Sequence, residues 1–181
     1  MSQWTIDVAH SEVTFKVKHL MISTVKGRFT KFSGTVSASK PDFSDARVEF
    51  SADVNSINTN NEQRDGHLKS PDFFDAANHP TLTFSSTAIK TKSEGEYEMH
   101  GLMNIRGTSK EITLRVVYNG TAKGFEGDVA GFEITGALNR QDFGLRWNAL
   151  TEAGGVVVSD EVKLDIVAEL KKTEVEKPVT A

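Results

Sequence analysis

Apolar and polar residues alternate along most of this chain. The alternation is clearest at 162–170, where every second residue from Val162 to Leu170 is apolar. A period of two residues is typical of β-strands that bury one face. Turn residues separate the runs and no helical pattern alternates with them, which favours antiparallel pairing. The pattern predicts eight strands, at about 4–18, 25–39, 46–58, 82–91, 95–106, 110–119, 127–139 and 160–171.

Three of the predicted strands change phase part of the way along. The apolar positions shift within 8–13, within 29–32 and near 130–131. Such a shift indicates a β-bulge, which bends and twists a strand. Bent strands with alternating faces favour closure, so we predict an all-β fold, an eight-stranded antiparallel barrel. The interior of such a barrel is either filled by side chains or holds one small ligand.

Length and composition narrow the class of protein. The 181 residues suit one domain, which the strands place at 4–171, and we expect the polar segment 172–181 to be a flexible tail. A net charge of −4 argues against nucleic-acid binding. The absence of cysteine excludes disulfides and thiol chemistry. No signal peptide and no long apolar run is found, so we expect a soluble cytoplasmic protein, with a homodimer left open.

A dense polar segment, NEQRDGHLKSPDFFD at 61–75, interrupts the strand pattern. Thr59 and Glu62 fit a capping box, which predicts a short helix at about 60–69, near one end of the barrel. A second cluster with similar residue types, Arg140-Gln141-Asp142-Phe143-Gly144, follows the seventh strand. One hypothesis is that the two clusters join and that Phe73, Phe74 and Phe143 close one barrel end. The alternative is a set of ordinary salt bridges on the rim.

Motifs for catalysis or metal binding are weak. The five histidines form neither a His-Glu-x-x-His motif nor a close pair, so we predict no metal site. There is no Gly-x-Ser-x-Gly motif, and no catalytic residue is predicted. Between Val13 and Pro41 there are six Lys or Arg residues and no acidic one. This basic run is either the solvent face of two strands or a contact for an anionic headgroup or a membrane surface.

A series of short motifs resembles the YceI-like family of polyisoprenoid-binding, lipocalin-like proteins over about residues 4–170. The motifs, in chain order, are Trp4-x-Ile6-Asp7, His10-Ser11, Val17-Lys18-His19-Leu20, Val25-x-Gly27-x-Phe29, Ser56-Ile57-x-Thr59, Arg64-Asp65-x-His67-Leu68-x-Ser70-x-Asp72-Phe73-Phe74-Asp75, Gly101-x-Met103-x-Ile105-x-Gly107 and Arg140-x-Asp142-Phe143-Gly144.

The resemblance implies an extended lipocalin-like barrel with an elongated apolar pocket. It implies binding of a long amphiphile, such as a polyisoprenoid, an isoprenoid quinone or a fatty-acid derivative, with no other cofactor and no enzymatic activity. Many relatives are periplasmic. The alternatives are an enzyme acting on the headgroup of such a lipid and an interaction module with a filled barrel. The apolar residues expected to line the pocket are Phe15, Val17, Phe29, Phe50, Val54, Phe73, Phe74, Phe84, Met99, Met103, Ile105, Leu114, Phe132, Phe143 and Ile166. The polar residues expected near the headgroup are His19, Arg64, Asp65 and His67.

Overall fold

Eleven strand segments and one α-helix make up the computed structural model, which describes residues 1–149 and 155–173. The helix α1 spans Glu62–Lys69. The strands are β1 (Ser2–Ile6), β2 (Glu12–His19), β3 (Ser23–Phe29), β4 (Phe32–Ala38), β5 (Arg47–Asp53), β6 (Ile57–Asn58), β7 (Thr81–Ser93), β8 (Glu96–Ile105), β9 (Thr108–Gly124), β10 (Gly127–Asn139) and β11 (Glu161–Thr173).

The segments form a closed, antiparallel barrel of eight strands. Their order is β1-β4-β5-β7-β8-β9-β10-β11-β2-β3-β6, and β1 also pairs with β11. β1 with β2, β3 with β4, and β5 with β6 are therefore the two parts of three interrupted strands, and the other five strands are continuous. The predicted barrel is confirmed. β11 extends through Lys172 and Thr173, which pair with β1, while 174–181 of the predicted tail lie outside the described residues.

The predicted phase shifts correspond to two kinds of irregularity. Between β1 and β2 the chain makes a 3₁₀ turn at Val8–His10, and between β3 and β4 two residues leave the sheet. These two shifts are breaks rather than the single-residue bulges that the sequence suggested. The third shift is a bulge, because the register changes between Gly131 and Phe132 and leaves Asn119 of β9 unpaired in the ladder. An extra residue there bends the sheet.

Asp7 organises the first break. Its carboxylate accepts the backbone N–H of Ala9 at 3.1 Å and lies 2.7 Å from Nδ1 of His10. Asp7 is buried, whereas His10 is exposed. The hydrogen bond to Asp7 raises the pKa of His10 above its ordinary value, and the same bond lowers the pKa of Asp7. The turn is therefore held by a local contact that depends on the charge of both groups.

The two barrel ends are built differently. α1 follows β6, at the end towards which β5 runs, and Phe43 lies in the connection that leads into β5 at the opposite end. Phe43 packs against Trp4, Tyr118 and Phe132, with ring centroids 5.1, 5.3 and 5.0 Å away. This aromatic cluster fills the end of the barrel far from α1. Among the described residues, no helix is long and apolar enough to cross a membrane.

Replacing Asp7 with Asn should lower the pKa of His10 towards its ordinary value of about 6.5, because the carboxylate that favours the imidazolium is lost. NMR titration of the His10 ring measures this. Since the folded-state pKa is raised, the stabilisation by this contact is complete below the ordinary pKa and is lost as pH rises through the folded-state value. Asp72→Asn is a control, because Asp72 contacts His67 instead. An unchanged His10 titration in Asp7→Asn would contradict the assignment.

Candidate functional site

An elongated cavity of about 440 Å³ lies inside the barrel. All the apolar residues assigned to the pocket by the sequence pattern and the family resemblance line it, with one exception. They are Phe15, Val17, Phe29, Phe50, Phe73, Phe74, Phe84, Met99, Met103, Ile105, Leu114, Phe132, Phe143 and Ile166. The volume is within the range of about 300–1,000 Å³ that is usual for small-molecule sites.

Val54 is the exception. The alternation of β5 assigned it to the pocket, but it begins a 3₁₀ turn at Val54–Ser56 that ends the strand. Its backbone N–H donates to the carbonyl of Pro80, and its side chain is 2% exposed. Val54 is thus buried in the barrel wall and is not among the residues that line the cavity. The period of two could not show where the strand stops.

Inward-facing glycines keep the cavity open. A β-carbon on Gly27 would lie 2.2 Å from Cζ of Phe15, which is its partner on the neighbouring strand. A β-carbon on Gly136 would lie 2.5 Å from Cδ2 of Leu114, again its cross-strand partner. The side chains of Phe15 and Leu114 therefore lie along the barrel wall, each over the backbone of the glycine opposite it. An isolated glycine within a strand is the sequence signal for such close approach, and the pocket assignment did not use it.

Thr59 connects α1 to the barrel. It is 4% exposed and lines the cavity. Oδ1 of Asp65 accepts both the backbone N–H and the hydroxyl of Thr59, at 2.8 and 2.6 Å. Nε and Nη2 of Arg64 donate to the hydroxyl and the carbonyl oxygen of Thr59, at 2.8 and 2.6 Å. Arg64 also lines the cavity, whereas Asp65 does not. The oppositely charged side chains of Arg64 and Asp65 therefore both bind the buried residue Thr59.

The predicted capping box is wrong. Asn61, not Thr59, caps α1: its side-chain oxygen accepts the backbone N–H of Arg64 at 2.9 Å. The helix begins at Glu62, two residues later than predicted. The hydroxyl of Thr59 is instead engaged by Arg64 and Asp65. A four-residue motif does not reveal this, because Asn is as good an N-cap residue as Thr.

His67 and His19 both line the cavity, at the same barrel end. The ring of His67 packs against Phe73 and Trp147, with centroids 5.1 and 4.7 Å away, and its Nε2 is 2.9 Å from Oδ2 of Asp72. His19 is the exposed last residue of β2. Trp147, which also lines the cavity, was not selected from the sequence because it lies in an irregular segment without a periodic pattern.

Arg140 holds the segments that border this end of the cavity. Its guanidinium is 3% exposed and donates to four backbone carbonyls, those of Ser159 at 2.9 Å, Leu145 at 2.6 Å, Trp147 at 2.8 Å and Val158 at 3.3 Å. Burial lowers the pKa of Arg140, and the carboxylate of Asp160, 3.5 Å away, opposes that shift. One side chain therefore joins the stretch after β10 to the stretch before β11.

The two polar clusters do meet, through a residue that the sequence reasoning did not select. Nη1 of Arg106 donates to the carbonyl oxygens of Phe73 and Gly144, at 2.8 and 3.2 Å. The guanidinium of Arg140 lies 6.0 Å from the ring centroid of Phe73, which adds a cation–π contact. Phe73 and Phe143 are both buried where the clusters meet. Arg64, by contrast, binds Thr59 of its own cluster.

Among the described residues, the structure brings together one group of three side chains that could hold a metal ion, Asp7, His10 and Glu169. Nζ of Lys171 is 3.5 Å from the carboxylate of Asp7, so this carboxylate is already paired with a cation. His67 contacts Asp72, and His79 lies against Gly107. The group at Asp7 is on the far side of the sheet from the cavity lining, and we assign it a structural role.

The protein is thus a barrel that encloses an elongated apolar cavity, with polar side chains at one end of the cavity. The chain belongs to the YceI family, since the YceI-like domain model matches residues 4–170. A UPF0312 protein of Staphylococcus aureus strain N315 is 39% identical over 176 residues, which is 96% of this chain and all of the relative.

Solved structures agree with this assignment. The Campylobacter jejuni YceI protein is 31% identical, with a TM-score of 0.74, over 88% of this chain and 91% of that chain. A polyisoprenoid binding domain from Saccharophagus degradans, implicated in plant cell wall breakdown, is 16% identical, with a TM-score of 0.69, over 94% of this chain and 98% of that chain. At this identity the second likeness concerns the fold alone.

Replacing Arg140 with Met should lower the free energy of unfolding by about 3 kcal/mol or more, because four buried or part-buried carbonyl groups lose a charged donor. Urea unfolding followed by circular dichroism measures this. Arg146→Met, at an exposed position of the same loop, is the matched control and should change stability by about 0.5 kcal/mol or less. Equal stability of the two variants would contradict the role assigned to Arg140.

Proposed function

We propose that the protein binds one long-chain amphiphile, such as a polyisoprenoid, an isoprenoid quinone or a fatty-acid derivative, for transport, storage or sequestration. The observation that carries the proposal is the cavity of about 440 Å³, whose wall consists mainly of aliphatic and aromatic side chains. The tail lies in the cavity and the headgroup lies near α1. The size of the cavity counts against the alternative of a barrel filled by its own side chains.

The orientation of the ligand follows from the two barrel ends. Far from α1, Phe43 and its aromatic neighbours pack together at the end of the barrel. Near α1, the cavity is bordered by polar side chains, which are Lys18, His19, Thr59, Arg64, His67 and Arg140. Because Lys18, Arg64 and Arg140 are cationic, a polar or anionic headgroup is stabilised at this end.

The cavity wall provides most of the affinity. Burying about ten methylene groups contributes about 8 kcal/mol before the cost of ordering the chain. A hydrogen bond to the headgroup adds about 1 kcal/mol net. The tail therefore determines how tightly the ligand binds, and the polar end selects among headgroups. Met99 and Met103, both in the wall, suit packing against a flexible chain.

Two further observations support a binding role. The Saccharophagus degradans domain that shares the fold is described as polyisoprenoid binding. His67, which lines the cavity near the proposed headgroup position, has Nε2 directed to Asp72 and its ring packed against Phe73 and Trp147. This arrangement suits a residue that fixes the cavity border, so we propose a binder rather than an enzyme.

Mass spectrometry of solvent extracts from the purified protein should detect a long-chain lipid, and the emptied protein should take up added polyprenyl lipid. Ile134→Trp places a large ring in the cavity and should reduce uptake at least tenfold. Thr135→Trp, at the next and outward-facing position of β10, is the matched control and should bind as the wild type does.

Two results would overturn the proposal. One is an empty extract together with no uptake of polyprenyl lipid, fatty acid or quinone by the wild-type protein. The other is equal uptake by Ile134→Trp and Thr135→Trp, which would place the bound lipid outside the barrel. Circular dichroism of both variants checks that each has folded.

A further inference from the structure

Three consecutive apolar residues form the tip of the hairpin between β2 and β3. Leu20, Met21 and Ile22 are 38%, 60% and 84% exposed. Val156 is 37% exposed, and its neighbour Val157 accepts the backbone N–H of Leu20 at 2.9 Å. The hairpin tip, Leu20–Ile22, is thus braced against the chain, while its apolar side chains are in solvent. A contiguous apolar patch of this kind marks an interaction site.

The backbone of the hairpin tip makes this composition more unusual. Leu20 and Met21 have φ angles of 52° and 59°, and the N–H of Ile22 donates to the carbonyl of His19 at 3.2 Å. A turn with positive φ at both central residues strongly prefers Asn and Gly. Bulky apolar residues are disfavoured there both by their conformation and by their exposure. Folding alone does not account for three of them in a row.

Cationic side chains surround the base of this hairpin. Lys16 lies opposite Lys26 in the ladder between β2 and β3. Two residues closer to the tip, Lys18 lies opposite Thr24. Arg28 lies further along the same outer face. Lys16 is 3.5 Å from Asp165, and Nζ of Lys18 donates to the hydroxyl of Thr24 at 3.0 Å. The chain has a net charge of −4, so this positive face is a local feature.

We propose that the hairpin tip inserts into the surface of a bilayer that contains anionic lipids. Apolar side chains of surface-bound proteins reach about 5–10 Å into the boundary between headgroups and acyl chains. With about 3.3 Å per strand residue, Lys18 then lies at headgroup level, and Lys16 and Lys26 lie about 7 Å further out. Lysines at this distance are within a Debye length of the anionic surface. Charge complementarity therefore selects the bilayer as the partner of the hairpin tip.

Another exposed hairpin tip lacks this combination. Phe125, between β9 and β10, is fully exposed, but its neighbours within three residues include Glu126 and Asp128 as well as Lys123. It offers one apolar side chain without a positive face. Phe125 is therefore a natural control for exposure alone.

The membrane contact goes beyond the proposed function and does not depend on the identity of the ligand. It places the polar end of the cavity next to the bilayer, because Lys18 and His19, at the base of the hairpin tip, also line the cavity. His19 in addition forms a bridge with Val158, another lining residue. Binding to vesicles can be measured with the cavity empty or filled, so the two proposals fail separately.

Sedimentation with sucrose-loaded vesicles tests the proposal. The wild-type protein should bind vesicles of phosphatidylcholine with 30% phosphatidylglycerol, and should bind pure phosphatidylcholine vesicles at least tenfold more weakly. The double variant Met21→Ser with Ile22→Ser should bind the anionic vesicles at least tenfold more weakly than the wild type. Lys16→Gln with Lys26→Gln should weaken binding about fivefold per lysine, and added salt should weaken the wild type in the same direction.

Phe125→Ser is the control and should bind as the wild type does. Equal binding by the Met21, Ile22 double variant and the wild type would overturn the proposal, as would an equal loss in Phe125→Ser. Failure of the wild type to bind anionic vesicles would overturn it too. Analytical ultracentrifugation tests whether the hairpin tip binds a second copy of the chain instead. Self-association that the double variant abolishes would assign the hairpin tip to a dimer contact and contradict the membrane role.

Discussion

The enclosed cavity depends on β11 pairing with two strand segments at once. Its C-terminal part pairs with β1, its N-terminal part pairs with β2, and its other edge pairs with β10 from Glu161 to Lys171. Without this closure the sheet would have two free edges, and its apolar face would be open to water. One strand can serve both segments because the 3₁₀ turn capped by Asp7 takes up the residues between them, so that β1 and β2 both run antiparallel to β11. The hydrogen bond that caps the turn at Asp7 thus contributes to closure of the whole barrel.

Strand pairing closes the sides of the barrel but not its two ends. Aromatic residues cover one end, and polar residues border the other. Aromatic rings around Phe43 fill one end. At the other end, backbone carbonyls from irregular segments must be satisfied, because irregular chain cannot pair with itself as strands do. Arg140 and Arg106 supply those hydrogen bonds from within the protein. The polar residues at this end therefore satisfy backbone carbonyl groups, and the proposed headgroup site lies among the same residues.

Periodicity predicts this fold well because inward and outward residues alternate in nearly every strand, and many of the inward residues line the cavity. It fails where the regular backbone stops. Val54 follows the apolar phase of β5 but belongs to a 3₁₀ turn. Trp147 and Arg106 act through an irregular loop and a tight turn, where spacing along the chain carries no information about position. The role of Thr59 depends on contacts with Arg64 and Asp65 that a capping motif resembles but does not specify. The family resemblance, by contrast, is confirmed over residues 4–170.

The glycines opposite large side chains have a consequence for how such barrels diverge. The room for the ring of Phe15 comes from the missing side chain of Gly27, and that for Leu114 comes from Gly136. A substitution at either member of a pair therefore alters the fit of the other. The width of the cavity then depends on such pairs, each a glycine and the large residue opposite it. Relatives that accept ligands of different width should differ at both members of a pair together. Redesign of the lumen for a thicker or thinner chain has to exchange the pair as one unit.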